Sequence, residues 1–546
     1  MNRVFRWSVT LVAVAAAFML QSGGVRAQSV STWTGGNTTN SSTNQYWTLG
    51  DAWQPTGVPT GTNVWAQINS STTGLMRILY SSTSLNGGVS GTSLTVGAIS
   101  FLPTMVLPSG TFGITNQSTS VPGTLKFYGV NATIDGTTRR IILDNRSPAT
   151  NVTFSGSGST LKWQDFELYT SGAINVSATT QLTLNPVIRD GSGSQSITKV
   201  GDGILMFTGS AESNTYGGGF VMSGGIVQWA TSGVSGTNPF GAGSLTLRSG
   251  TLRSTTSTGK SINSNVVLDG SVTLGSADPS FNGNITVNSA GGSLATTIAS
   301  NSIVSIAGSG STAWNQSTSG SGSLTKAGTG LLRFTSASTL AHTGSTVVQS
   351  GTLIMAGNMT SPSAVSILSA ATLLGTGTLA GPTSILAGGT FSPGAVSGTT
   401  GVFTFGSGGL SLAGQTLMEV AGATRGTQYD GADIGGALGY GGSLLLQFSG
   451  TVADNTTLDL FRGFASQAGT FSSITVAGSY SGSLTESSGV WTGRLGGQDF
   501  TFTNSTGSLV IVPEPAISLL AGLGVVATAV QACRRLRRSS VEPTSR

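Results

Sequence analysis

ITKVGDGILMFTGSAESNTYGGGFVMSGGIVQWA, residues 197–230, recurs in outline as LTKAGTGLLRFTSASTLAHTGSTVVQSGTLIMAG, residues 324–357. Laid together without a gap, the two stretches share Thr198/Thr325, Lys199/Lys326, Gly201/Gly328, Gly203/Gly330, Leu205/Leu332 and Phe207/Phe334. They also share Gly217/Gly344, Val221/Val348 and Ser223-Gly224/Ser350-Gly351. Self-similarity at fixed length marks a repeat architecture. Within one copy, T-K-x-G-x-G-x-L-x-F alternates small or polar residues with apolar ones, which predicts a short strand with one apolar face. The spaced glycines permit positive φ without steric cost. A second strand is expected at Phe220-Val221 or Val347-Val348. A Ser-Gly turn then leads to a third at Ile226-Val227 or Leu353-Ile354. Three short strands in 34 residues bury too little on their own, so such copies must stack on neighbours.

These two copies resemble the autotransporter-associated β-strand repeat of large exported bacterial surface proteins. The matching positions are Lys199, Gly201, Gly203, Tyr216, Gly217 and Gly224 with their partners. The second copy departs from the pattern at Thr343, where the aromatic residue is missing. The resemblance implies an all-β chain wound as a right-handed parallel β-helix, expected over residues 71–400. Residues 363–395 look like its closing coils, with Gly375-Thr376-Gly377-Thr378-Leu379 followed by Gly388-Gly389-Thr390-Phe391-Ser392-Pro393-Gly394. Residues 401–511 carry longer strands, such as Gly442–Phe448 and Thr457–Phe461, and read as a C-terminal β-rich cap.

The 546 residues include 82 glycines, and only 8% are charged while 38% are hydrophobic. Disordered chains combine low hydrophobicity with high net charge, so this one is expected to fold. Its formal charge of +5 sits at the two ends: between Gln28 and Val512 there are 16 basic and 17 acidic residues. A nucleic-acid partner needs clustered Lys and Arg, and this body lacks them. The single cysteine, Cys533, allows no disulfide framework. The single histidine, His342, reads as a solvated turn residue.

Both termini read as addresses. Arg3 and Arg6, the apolar run Leu11–Leu20 and Val25-Arg26-Ala27 form a secretory signal over residues 1–27, cleaved between Ala27 and Gln28. Residues 28–70 place Trp33, Trp47 and Trp53 among Asn, Thr and Gly. They read as a cap sealing the first coil, with glycan stacking on those rings as the alternative. At the other end, Val512-Pro513-Glu514-Pro515 precedes an apolar stretch over 516–532 and the cluster Arg534, Arg535, Arg537 and Arg538. A run of this length is at the short limit for a spanning helix, and the arginines would keep their side cytoplasmic. This arrangement over 512–538, ahead of a tail at 539–546, resembles a PEP-CTERM protein-sorting domain. That resemblance implies an exosortase as processing partner, a transient anchor in the inner membrane, and an exopolysaccharide-producing envelope.

No catalytic, cofactor or metal signature is present. The densest acid–base run is Asp135 to Arg140 with Asp144, Arg146, Asp165 and Glu167. Acids beside glycine are usual turn residues, because Asp bonds its own backbone. The reading is therefore a non-enzymatic surface or matrix solenoid. Its alternatives are a carbohydrate-binding adhesin using Trp33, Trp47, Trp53 and Trp163, and a polysaccharide lyase centred on Asp135–Asp165.

Overall fold

A computed structural model describes residues 29–33, 44–46, 53–54, 64–68, 75–78, 93–102, 111–116, 123–134, 136–146, 151–154, 163–208, 214–229, 238–254, 260–276, 285–287, 293–307 and 310–513. Among these every regular element is a strand, and no helix is long and apolar enough to cross a membrane. The signal segment and residues 514–546, where the sequence places the sorting helix, lie outside the described residues. The described residues divide into two compact units: those up to 372 together with 377–381, and 373–376 together with those from 382 to 513.

The first unit is a parallel coil with three faces. Along one face the partners climb from Ile197 to Phe220, Leu245, Val266, Thr296, Thr318, Leu340 and Met359, an advance of 19 to 30 residues per coil. A second face stacks Gln181–Leu184, Ile204–Phe207 and the far half of Phe220–Trp229. The third holds Gly123–Phe127, Trp163–Leu168 and Val187–Asp190, and higher up Ser311–Trp314, Leu331–Phe334 and Gly351–Met355. Alternate side chains point inward, and register carries them into columns. Leu182, Leu205, Val227, Leu252 and Leu274 form one such column, each at most 1% exposed.

Each repeat is a two-storey corner, rather than three strands joined by turns. The Thr-Lys strand and the Leu-x-Phe strand are separate elements, broken at Gly201-Asp202-Gly203 in the first copy and at Gly328–Gly330 in the second. The second half of the repeat stacks directly on the first. Ile197 pairs with Phe220 and Ile204 with Ile226; Leu324 pairs with Thr346 and Leu331 with Thr352. The expected Ser-Gly turn at 223–225 does not reverse the chain. Phe220–Trp229 runs through it as one strand with a register shift. The two copies also turn different corners: the second starts one face further round, in the ladder that carries Ser302–Ile306.

One departure lies outside the coil. Val130–Ile134 and the start of Thr137–Asn145 form an antiparallel hairpin. Its Val130, Ala132 and Ile134 cover outward-facing Ala98, Ala173 and Val200, with half-buried Trp65 alongside, making a second small core.

The second unit continues with parallel pairing. Gln415–Val420, Ser443–Phe448 and Ser473–Gly478 stack in register, beside Val402–Phe405 with Gly431–Ile434 and Leu410–Leu412 with Ala437–Tyr440. It closes with four antiparallel strands, Gly482–Ser487, Val490–Leu495, Gln498–Thr503 and Ser508–Pro513. The last of these also pairs with Thr456–Asp459. Tyr440, Phe461, Phe471 and Phe502 interlock there, ring centroids 4.9–6.3 Å apart, and exclude water from the core end.

Candidate functional site

Lys199 and Lys326 are the chemically distinctive residues that the two repeats share. Both occupy the inward phase of their strands, and both are 0% exposed. An unpaired ammonium in such a place would be costly. The broken strand supplies the compensation. Lys199 Nζ donates to the carbonyls of Val200 (2.9 Å), Gly201 (2.6 Å) and Gly224 (3.3 Å). Lys326 Nζ donates to Ala327 (3.1 Å), Gly328 (2.7 Å) and Ser350 (2.8 Å). Two acceptors lie on the lysine's own storey and the third on the storey above, so each side chain ties two coils together at a corner.

Burial pushes the Lys199 amine down to about 7, partly opposed by Asp202, and Lys326 down to about 8. Three carbonyls match the three N–H bonds of an ammonium, whereas a neutral amine would leave one of them unfilled. The glycine above each corner is needed for space as well as for backbone geometry. Gly225 and Gly351 have φ of +63° and +69°. A Cβ on Gly351 would lie 2.5 Å from the Gly328 carbonyl oxygen and 2.6 Å from Lys326 Nζ.

The pairings show that the second repeat is one residue shorter in its connecting loop. Gly224-Gly225 therefore corresponds to Ser350-Gly351, and Val221 to Val347. With that offset, His342 falls opposite Tyr216. The aromatic position is not missing, and His342 is not a solvated turn residue. It is 0% exposed, as is Tyr216. Its Nδ1 lies 2.9 Å from Thr318 Oγ1, its Nε2 lies 2.9 Å from Thr346 Oγ1, and its carbonyl accepts from Ser363 Oγ. Burial pushes the imidazole pKa down.

The acid–base run around Asp144 does not converge. Asp144 is fully buried and accepts from Arg146 Nε (2.8 Å) and Asn175 Nδ2 (2.9 Å); burial raises its pKa, with Arg146 opposing. Asp165 and Glu167 stand on a different face, where Arg189 Nη2 bridges them at 3.1 and 2.8 Å. Arg140 is exposed on the hairpin, and Asp135 lies outside the described residues. Asp190 serves two turns, accepting from the backbone N–H groups of Gln195 and Gly217, each at 2.8 Å.

Trp33 and Trp53 are backbone register partners in a short antiparallel pairing, while Trp47 lies outside the described residues. So do Ala27, Gln28, Glu514, Pro515, Arg534, Arg535, Arg537 and Arg538. Pro513 ends the final strand. Sequence reasoning missed a pair of buried acids in the second unit, Glu419 and Asp430, 8% and 0% exposed. They lie eleven positions apart, and no motif announces them.

No curated protein matches the chain. The family model of the passenger-associated transport repeat matches residues 197–228 and 324–355, the two-storey corners described above. The chain thus carries two passenger-associated transport repeats.

Proposed function

We propose that this protein is an exported, non-enzymatic β-solenoid of a bacterial cell surface or extracellular matrix, sorted by an exosortase through its C-terminal segment. The pair of passenger-type repeats carries the reading, since such repeats belong to exported surface proteins. The chemistry inside the coils supports it: the polar groups of the repeats are spent on holding storeys together. The sequence resemblance of residues 512–538 to a PEP-CTERM segment supplies the route. In that route the apolar stretch holds the chain in the inner membrane, body outward, until cleavage near Pro513-Glu514-Pro515. A near-neutral body with few charges suits packing among hydroxyl-rich exopolysaccharide rather than nucleic acid.

Mass spectrometry of the mature protein from the producing cell tests this reading. It should find an N-terminus at Gln28 and a C-terminus within or beside residues 513–515. An intact Arg546 would refute the sorting step.

A further inference from the structure

Glu419 is the penultimate residue of the strand Gln415–Val420, and Asp430 immediately precedes Gly431–Ile434. The loop 394–401 lies against both. Asp430 Oδ1 accepts from the Gly401 N–H (2.7 Å) and Oδ2 from the Glu419 N–H (2.8 Å). Glu419 Oε1 accepts from the Gly398 N–H (3.0 Å) and Oε2 from Ser392 Oγ (3.2 Å). Asp430 is thus bound to the backbone of Glu419 itself, and two carboxyls buried this close together cannot both stay ionised without a counter-ion. No cation reaches the pair among the described residues. Arg425, between the two in sequence, gives its Nε to the Asp459 carbonyl (2.8 Å) and sets Nη2 2.9 Å from Asp433. The Tyr429 hydroxyl is turned away to the Asp459 N–H. From residue 396 to 399 the loop is exposed, and Val396 is 45% accessible.

We infer that Asp430 and Glu419 share one proton and act as a latch that holds the 394–401 loop closed and releases it when that proton is lost. With the proton in place, the pair carries one negative charge, spread over four oxygens that each accept a hydrogen bond. Without it, two buried carboxylates face each other with no counter-ion, and separating them requires moving Gly398, Gly401 or both. Burial first, then the neighbouring Glu419 carboxyl, pushes Asp430 up to about 9. The sign follows: between the ordinary carboxylate range and that value the folded chain holds a proton that the unfolded chain has lost. The latch therefore weakens as pH rises, and is fully engaged in acid.

The test is limited proteolysis of the full chain with subtilisin between pH 6 and 10, with cleavage sites mapped by mass spectrometry and rates normalised to a small peptide substrate. Cleavage within 395–400 should rise about tenfold between pH 7.5 and 10 in the wild type, and less than about twofold in Asp430→Asn, which cannot ionise. Glu419→Gln provides the same comparison if the first variant misfolds. A loop equally protected at pH 6 and pH 10, or an unchanged pH response in the folded variant, would overturn the latch.

Discussion

Lys199 and Lys326 invert the usual rule that a lysine belongs in water. Each is kept inside because the corner beside it exposes three carbonyls to the interior, and a methionine of similar length would leave all three without donors. Lys326→Met is therefore expected to destabilise the repeat by about 2–4 kcal/mol, read as a shifted denaturant midpoint with unchanged slope. An unaltered midpoint would mean the carbonyls find other partners. His342 makes the complementary case. Its pKa is depressed in the folded state, so its contribution is present above about 6.5, the ordinary histidine value, and is lost as pH falls below it. His342→Tyr restores the residue found at the matching place in the first repeat. It should flatten the fall in melting temperature between pH 7 and pH 5; an identical slope in both proteins would count against a buried imidazole. The inward phase of Lys199 was readable in the alternation with Ile197. The kinship of His342 with Tyr216 was not, because a one-residue difference in loop length hides it from a gapless alignment.

At the level of the element, strand and corner were legible to different degrees. Alternation in ILMF and LLRF marked the apolar phase correctly, because burial of one face dictates it whatever the neighbours. Corner and turn look alike in sequence, since both ask for glycine. What separates them is whether the next strand lies beside the last one or a storey above, and that depends on long-range pairing. The same gap concealed the hairpin 130–145, which falls within the span 71–400 expected to be coil and is set apart only by the Ala98, Ala173 and Val200 surface beneath it. Glycines provide the sharpest test at this scale. Gly351→Ala forces a Cβ against a carbonyl and an ammonium at positive φ, and should cost roughly 3 kcal/mol or more. Gly136→Ala meets nothing within 4 Å at φ +75° and should cost only about 1–2 kcal/mol. Thermal melts of the two variants side by side decide the matter, and equal losses would contradict the crowding at the corner.

For the whole molecule, the all-β parallel architecture was readable from two repeats, which cover a small part of the chain. The described coils share one constraint, alternate residues turned inward and mostly apolar, with Lys199 and Lys326 as polar exceptions. The unequal coil advance was not readable. Loops of different length reach the same next storey, so spacing alone cannot count coils. The Glu419–Asp430 pair was hidden for a related reason: its partners Ser392, Gly398 and Gly401 are assembled by stacking and share no motif. The reading as a surface solenoid rests on the central claim that successive storeys of the repeats pair in parallel and in register.

Disulfide trapping in a Cys533→Ser background tests that claim most directly. Thr325 and Val347 are register partners on adjacent storeys, both partly exposed. The account predicts that Thr325→Cys with Val347→Cys oxidises under native conditions at least about tenfold faster than Thr325→Cys with Gln349→Cys, a pair two positions out of register. Equal rates for the two pairs, or free thiols in both, would contradict the stacked coil.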